Sequence, residues 1–185
     1  MVVDLKAENC FLDSCQRAKV ADFGSGKVTV ANAAVSEAEG TGRSNQLNAI
    51  EANEDRFTSS VSRTLTGHCG SLLWMAPEMM LRNRAQMSLP LADVYSYGGV
   101  LFEIWTRTLP WEEIDVSECD FVEELQRRLE VGCCPEIPTR VADPPVEYAA
   151  LMGKCWSTDP SRRPSFAQMV DDDIPRMMQQ CGVNQ

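Results

Sequence analysis

Between Pro90 and Arg107 the sequence places Leu91, Val94, Tyr95, Tyr97, Val100, Leu101, Phe102, Ile104 and Trp105. At the helical period of about 3.6 residues these positions reach every side of a helix, not one stripe. A helix that is apolar all round must be enclosed by other elements, so this segment predicts a central helix with the rest of the chain packed around it. Its longest uncharged apolar stretch, Val94 to Phe102, is far below the length of about 20 residues that spans a bilayer. Further helices are expected at about 117 to 130, 145 to 156 and 165 to 180, with Pro135, Pro138, Pro144 and Pro145 marking a loop between two of them.

At 185 residues the chain can bury a core of its own, and 44% hydrophobic with 24% charged residues is ordinary for a globular protein. A formal net charge of −10 argues against nucleic acid or an anionic membrane as a partner. The eight cysteines are scattered without a C-x-x-C pair, and His68 is the only histidine, so no zinc site is expected. Asp4, Lys6 and Glu8 follow Met1 closely and leave no apolar signal region; a cytoplasmic location with reduced thiols is the expectation. The acidic stretch Glu112, Glu113, Asp115, Glu118, Asp120, Glu123, Glu124 reads as a solvated face near a helix N-terminus, with a preference for basic substrates as the alternative.

Residues 10 to 21 read as a tight hairpin. Cys10 to Asp13 and Ala18 to Ala21 are short, mostly apolar runs, and Ser14-Cys15-Gln16-Arg17 is a polar four-residue turn. Pairing 13 with 18 would also pair 9 with 22, bringing Asn9 and Asp22 side by side at the open end. Residues 29 to 63 are rich in Ala, Ser, Thr, Asn, Glu and Gly, with Phe57 as their one aromatic. Such a segment has too little apolar surface to offset its ordering entropy, so it is expected to be a mobile insert, with room for a short amphipathic helix near Asn45 to Asn53.

Residues 4 to 9 read Asp-Leu-Lys-Ala-Glu-Asn and residues 22 to 24 read Asp-Phe-Gly. Together they resemble the catalytic loop and the metal-binding motif of the eukaryotic protein kinases. Three further runs extend the likeness in family order: Trp74-Met75-Ala76-Pro77-Glu78, Asp93-Val94-Tyr95-Ser96-Tyr97-Gly98, and Cys155-Trp156 through Asp159-Pro160-Ser161-Arg162-Arg163-Pro164. The resemblance implies the mainly α C-terminal lobe of the kinase fold with a small β-hairpin near its start. It implies a kinase-domain segment over 1–180, with the insert at 29–63 inside it and a tail at 181–185. ATP and Mg²⁺ would be the cofactors and a protein the substrate.

By the same resemblance Asp4 would be the catalytic base and Lys6 would reach the γ-phosphate, while Asn9 and Asp22 would hold Mg²⁺. Ser71 would stand where the family has the threonine of Gly-Thr. Glu78 would pair with Arg163 to fix the substrate loop, and Asp93 would cap the central helix and bond the catalytic-loop backbone. Lys6 and Gly70-Ser71 resemble serine/threonine kinases, whereas Cys155-Trp156 and Asp-Val-Tyr-Ser resemble the tyrosine-kinase-like group, whose members nonetheless modify Ser or Thr. Ser59, Ser60, Ser62, Thr64 and Thr66, beside Arg56 and Arg63, are candidate phosphosites.

Two departures qualify the match. Val2-Val3 stand where the family has His-Arg, reflecting either a kinase without that phosphate-responsive switch or a mis-set start to the chain. No G-x-G-x-x-G strand, V-A-I-K lysine or partner glutamate occurs in these residues, so the N-terminal lobe is absent from them. The chain alone is therefore expected to be inactive, with an apolar face left for the missing lobe or a partner to cover. A non-catalytic, pseudokinase-like binding module is the alternative.

Overall fold

The computed structural model describes residues 5–22, 69–83, 87–114 and 118–180. Apart from 69 and 70 these lie in one compact unit, formed by 1–27 together with 71–185. The expected insert at 29–63, its short helix near 45 to 53, the candidate phosphosites and the tail at 181–185 lie outside the described residues.

The described chain is mainly helical, with one two-stranded antiparallel hairpin near its start. The strands are β1 (Cys10–Leu12) and β2 (Ala18–Val20). The helices are α1 (Pro77–Met80), α2 (Leu89–Thr106), α3 (Glu118–Glu130), α4 (Val146–Cys155), α5 (Phe166–Gln168) and α6 (Ile174–Gln180). A π-helical stretch at Met169–Asp173 joins the last two, so the helix expected at 165 to 180 runs through with one widened turn. A capping box opens it, Ser165 accepting from the Gln168 amide while the Gln168 side chain accepts from the Ser165 amide. No described helix is long and apolar enough to cross a membrane.

Enclosure of α2 organises the fold. Val94, Tyr95, Val100, Leu101 and Phe102 are all buried, as are Ala92, Asp93, Ser96, Gly98 and Gly99. Its two glycines admit tryptophans from segments before and after the helix in sequence. A Cβ on Gly98 would stand 2.7 Å from the Trp156 indole nitrogen, and one on Gly99 would sit still closer to the Trp74 ring. Tyr148 of α4 donates its hydroxyl to the Leu101 carbonyl at 2.6 Å, and Phe102 lies 5.8 Å from Trp156 between ring centroids. The apolar face expected to be left bare on this helix is narrow: among the described residues of α2, Ile104 is the only large hydrophobic strongly exposed. On the hairpin, Phe11, Leu12 and Val20 are exposed.

Two expectations are corrected. The hairpin pairs Cys10 with Val20, Phe11 with Lys19 and Leu12 with Ala18. Continuing that register brings Asn9 to Ala21, whose amide donates to the Asn9 carbonyl at 2.8 Å, and not to Asp22. The cause is a three-residue turn in place of four. The Asp13 carboxylate accepts from the amides of Cys15 and Arg17, both at 2.9 Å, and the Asp13 amide donates to the Arg17 carbonyl at 3.0 Å. These bonds hold the Asp13 carboxyl below its usual range, those from Arg17 foremost. Gln16 takes the left-handed conformation (φ 60°) that such a loop needs at its last position.

The second correction concerns Asp93. Helix α2 begins at Leu89, with Ser88 at its N-cap and Pro90 in the first turn, where a missing amide hydrogen costs nothing. Asp93 lies in the body of the helix and is not its cap.

Because Gly99 seats the Trp74 ring, Gly99→Ala should overpack this contact and destabilise the protein by about 1–3 kcal/mol, despite alanine's better helix propensity. Urea unfolding checks this, and a stabilised variant would mean that the ring does not lie there.

Candidate active site

The segment expected to hold the transferred phosphate begins at Leu5, which is buried, and turns through a 3₁₀ helix at Ala7–Asn9. Lys6 precedes this turn, and the Asn9 amide donates to the Lys6 carbonyl at 3.0 Å. The Lys6 ammonium lies 3.3 Å from the Glu8 carboxylate, which is exposed. Asn9 is buried. Asp22 is exposed and stands one residue past the Asn9–Ala21 pair at the open end of the hairpin, on a left-handed backbone (φ 58°). The structure thus sets Asn9 and Asp22 near the same end of the hairpin, one step out of direct register. Asp4 lies outside the described residues.

An amide oxygen and a carboxylate are hard donors. Magnesium is typically bound through one or two protein oxygens, with water and substrate phosphates completing its octahedron. The donor set at Asn9 and Asp22 fits that group.

The second part of the site is the run into Ala76-Pro77-Glu78. Residues Cys69–Trp74, which include Ser71, form a 3₁₀ helix, and Pro77 opens the short α1. Here Glu78 and Arg163 meet, 85 residues apart in sequence. Two parallel bonds of 2.7 Å join the guanidinium to the two carboxylate oxygens. The side chains are 0% and 1% exposed. Arg163 also donates to the carbonyls of Ser157 at 2.8 Å and Leu91 at 2.9 Å, and its guanidinium lies 5.0 Å from the Tyr95 ring centre. That aromatic face is itself so enclosed that burial pushes the Tyr95 hydroxyl far above its ordinary pKa. The pair therefore has the bidentate geometry and additional partners that a buried ion pair needs to offset its desolvation.

One feature of this site was not anticipated from the sequence. Glu103, on α2, accepts from the Ala7 amide at 3.1 Å and from the Trp74 indole at 2.7 Å. Partial burial raises its carboxyl pKa, and the two hydrogen bonds oppose that rise. Trp74 is further tied to α2 by the Ser96 hydroxyl, which donates to its carbonyl at 2.9 Å. A signal was available: Asp93 and Glu103 are the only charged residues in the helix, and an acid in an otherwise apolar helix needs a partner.

The protein kinase domain family matches residues 1–174. A probable serine/threonine-protein kinase of Dictyostelium discoideum, drkD, is 30% identical over 167 residues, covering 90% of this chain and 10% of that protein. The serine/threonine/tyrosine-protein kinase HT1 of Arabidopsis thaliana is 30% identical over 170 residues, covering 90% of this chain and 32% of its own length. The serine/threonine-protein kinase STY17, also of Arabidopsis thaliana, is 29% identical over 171 residues, 91% of this chain and 22% of its own. The chain thus spans a third or less of each of these relatives.

Breaking the buried pair tests the frame of the site. Arg163→Ala and Glu78→Ala should each cost about 3–5 kcal/mol, since each strands a buried charge. Equilibrium denaturation of both variants measures this, and two silent substitutions would contradict the burial described.

Proposed function

Since the chain belongs to the protein kinase domain family, we propose that it supplies the catalytic-loop half of a protein serine/threonine kinase, acting in the cytoplasm on a protein substrate. The observation that carries this reading is the junction on α2. The segment bearing Lys6 and Asn9 and the segment leading into Ala76-Pro77-Glu78 are both hydrogen-bonded to that one helix. Phosphoryl transfer asks chiefly for positioning and charge stabilisation, which a shared rigid support provides.

In this reading Asp4 takes the proton of the substrate hydroxyl, whose oxygen bonds to the γ-phosphorus as the bond to the β–γ bridging oxygen breaks and ADP leaves. Lys6 lies against the γ-phosphate. Asn9 and Asp22 hold magnesium, which when bound offsets phosphate charge. Ser71, Glu78, Asp93 and Arg163 frame the loop on which the substrate lies. Residues 1–180 make up the kinase-domain segment, with the insert at 29–63 and the tail at 181–185. The names of the relatives support Ser or Thr as acceptor, and the likeness of Asp93 to Gly98 and of Cys155-Trp156 supports a place in the tyrosine-kinase-like group.

The glycine-rich strand and its lysine are not among these 185 residues, so the clamp on the α- and β-phosphates must come from outside them. The 185-residue chain with Mg²⁺-ATP and a generic protein substrate should show no transfer above that of Asp4→Asn. Fused behind a protein-kinase N-terminal lobe, it should phosphorylate Ser or Thr, with Asp4→Asn and Asp22→Ala each lowering the rate about 10²-fold or more. Phosphotyrosine as the sole product would overturn the acceptor assignment. A fusion that binds nucleotide and substrate without transfer would favour the non-catalytic binding module.

A further inference from the structure

Glu103 has a geometry that goes beyond support of the core. Both of its donors, the Ala7 amide and the Trp74 indole, converge on the same carboxylate oxygen, Oε2. Ala7 directly follows Lys6 and opens the 3₁₀ turn that ends at Asn9, so a shift of its amide moves the Lys6 backbone and the turn that carries Asn9. Trp74 closes the 3₁₀ segment that begins at Cys69 and is separated by only Met75 from Ala76-Pro77-Glu78. The ring is held over Gly99, and its carbonyl is held by Ser96. Trp74 is therefore a fixed point on α2, and Glu103 extends that fixed point to the catalytic loop.

We propose that Glu103 is a positioning residue that, by accepting both hydrogens on one oxygen, sets the catalytic loop at a fixed distance from the segment that presents the substrate. Its influence on phosphoryl transfer rests on the kinase reading above, whereas the clamp itself does not. A carboxylate suits the place because charge-assisted hydrogen bonds are shorter and stronger than neutral ones. What the clamp requires, however, is an acceptor at the right reach. A glutamine carbonyl at the same distance can accept both hydrogens, and an aspartate, one methylene shorter, cannot.

The test separates reach from charge. Hydrogen exchange at the Ala7 amide and the Trp74 indole should quicken about tenfold in Glu103→Ala and Glu103→Asp, and stay within about twofold of the parent in Glu103→Gln. In the fusion competent for transfer, the first two variants should lower kcat about tenfold, leave the KM for ATP within about twofold, and be matched by near-parental activity in Glu103→Gln. Glu103→Asp keeps the result readable if the alanine variant does not fold. Unchanged protection at Ala7 in both variants overturns the clamp. Lost protection with unchanged kcat overturns the positioning role. A parent that transfers no phosphate would instead sink the kinase reading, and the exchange pattern would still decide the clamp.

Discussion

The constraint on which the rest of this structure depends is the enclosure of α2. A helix apolar on every side has no solvent face of its own, so each neighbouring segment must cover part of it. The segments that do so are the ones that carry the candidate chemistry. Trp74 covers Gly99 from the run before α1, and Trp156 covers Gly98 from the end of α4. Tyr148 caps the Leu101 carbonyl, and Arg163 reaches the carbonyl of Leu91 in the first turn. Two glycines in a helix interior each cost about 1 kcal/mol in propensity. Here that cost accompanies two indoles packed directly on the backbone, a far larger apolar area than a pair of methyl groups would bury.

The polar groups on and around α2 follow from the same enclosure. A charge that enters such a core must bring its partners along. Arg163 does so with the Glu78 carboxylate, two carbonyls and the face of Tyr95. Glu103 does so at the edge of the core with an amide and an indole. Stability alone does not require either arrangement, since apolar groups of similar volume often pack as well or better. What both provide is register: a bidentate pair and a two-donor oxygen tolerate little displacement. They join segments distant in sequence, 78 to 163 and 7 to 74 to 103.

Much of this was legible beforehand, and the reasons differ by element. The helix at 89–106 could be read from hydrophobicity alone, because no other element accommodates that pattern. Helices at 118–130 and 146–155 were bounded by proline and polar loops, and their ends fell within a residue or so of expectation. The meeting of Glu78 and Arg163 came from resemblance; no local pattern links residues so far apart. What failed was local hydrogen bonding. The sequence Ser14-Cys15-Gln16-Arg17 looks like a four-residue turn until Asp13 is seen to accept from both Cys15 and Arg17, which draws Arg17 into the closing pair. Glu103 is a different case: an acid in an otherwise apolar helix calls for a partner, but only the fold shows what stands opposite.

The one-residue slip in the hairpin has a consequence for how a metal would be held. In the expected register, Asn9 and Asp22 would be cross-strand neighbours with their separation fixed by the ladder. In the observed one the ladder closes at Asn9 and Ala21, and Asp22 stands one residue beyond it on a left-handed backbone. An L-residue other than Gly, Asn or Asp is uncommon in that conformation, and aspartate pays less for it than most. The Asn9 backbone is thus anchored in the ladder, while Asp22 lies one residue past its end, at the strand's exit. In the kinase reading proposed above, a magnesium ion held by these two side chains would take its remaining ligands from water and phosphate oxygens, which suits two donors offset by one residue along the hairpin.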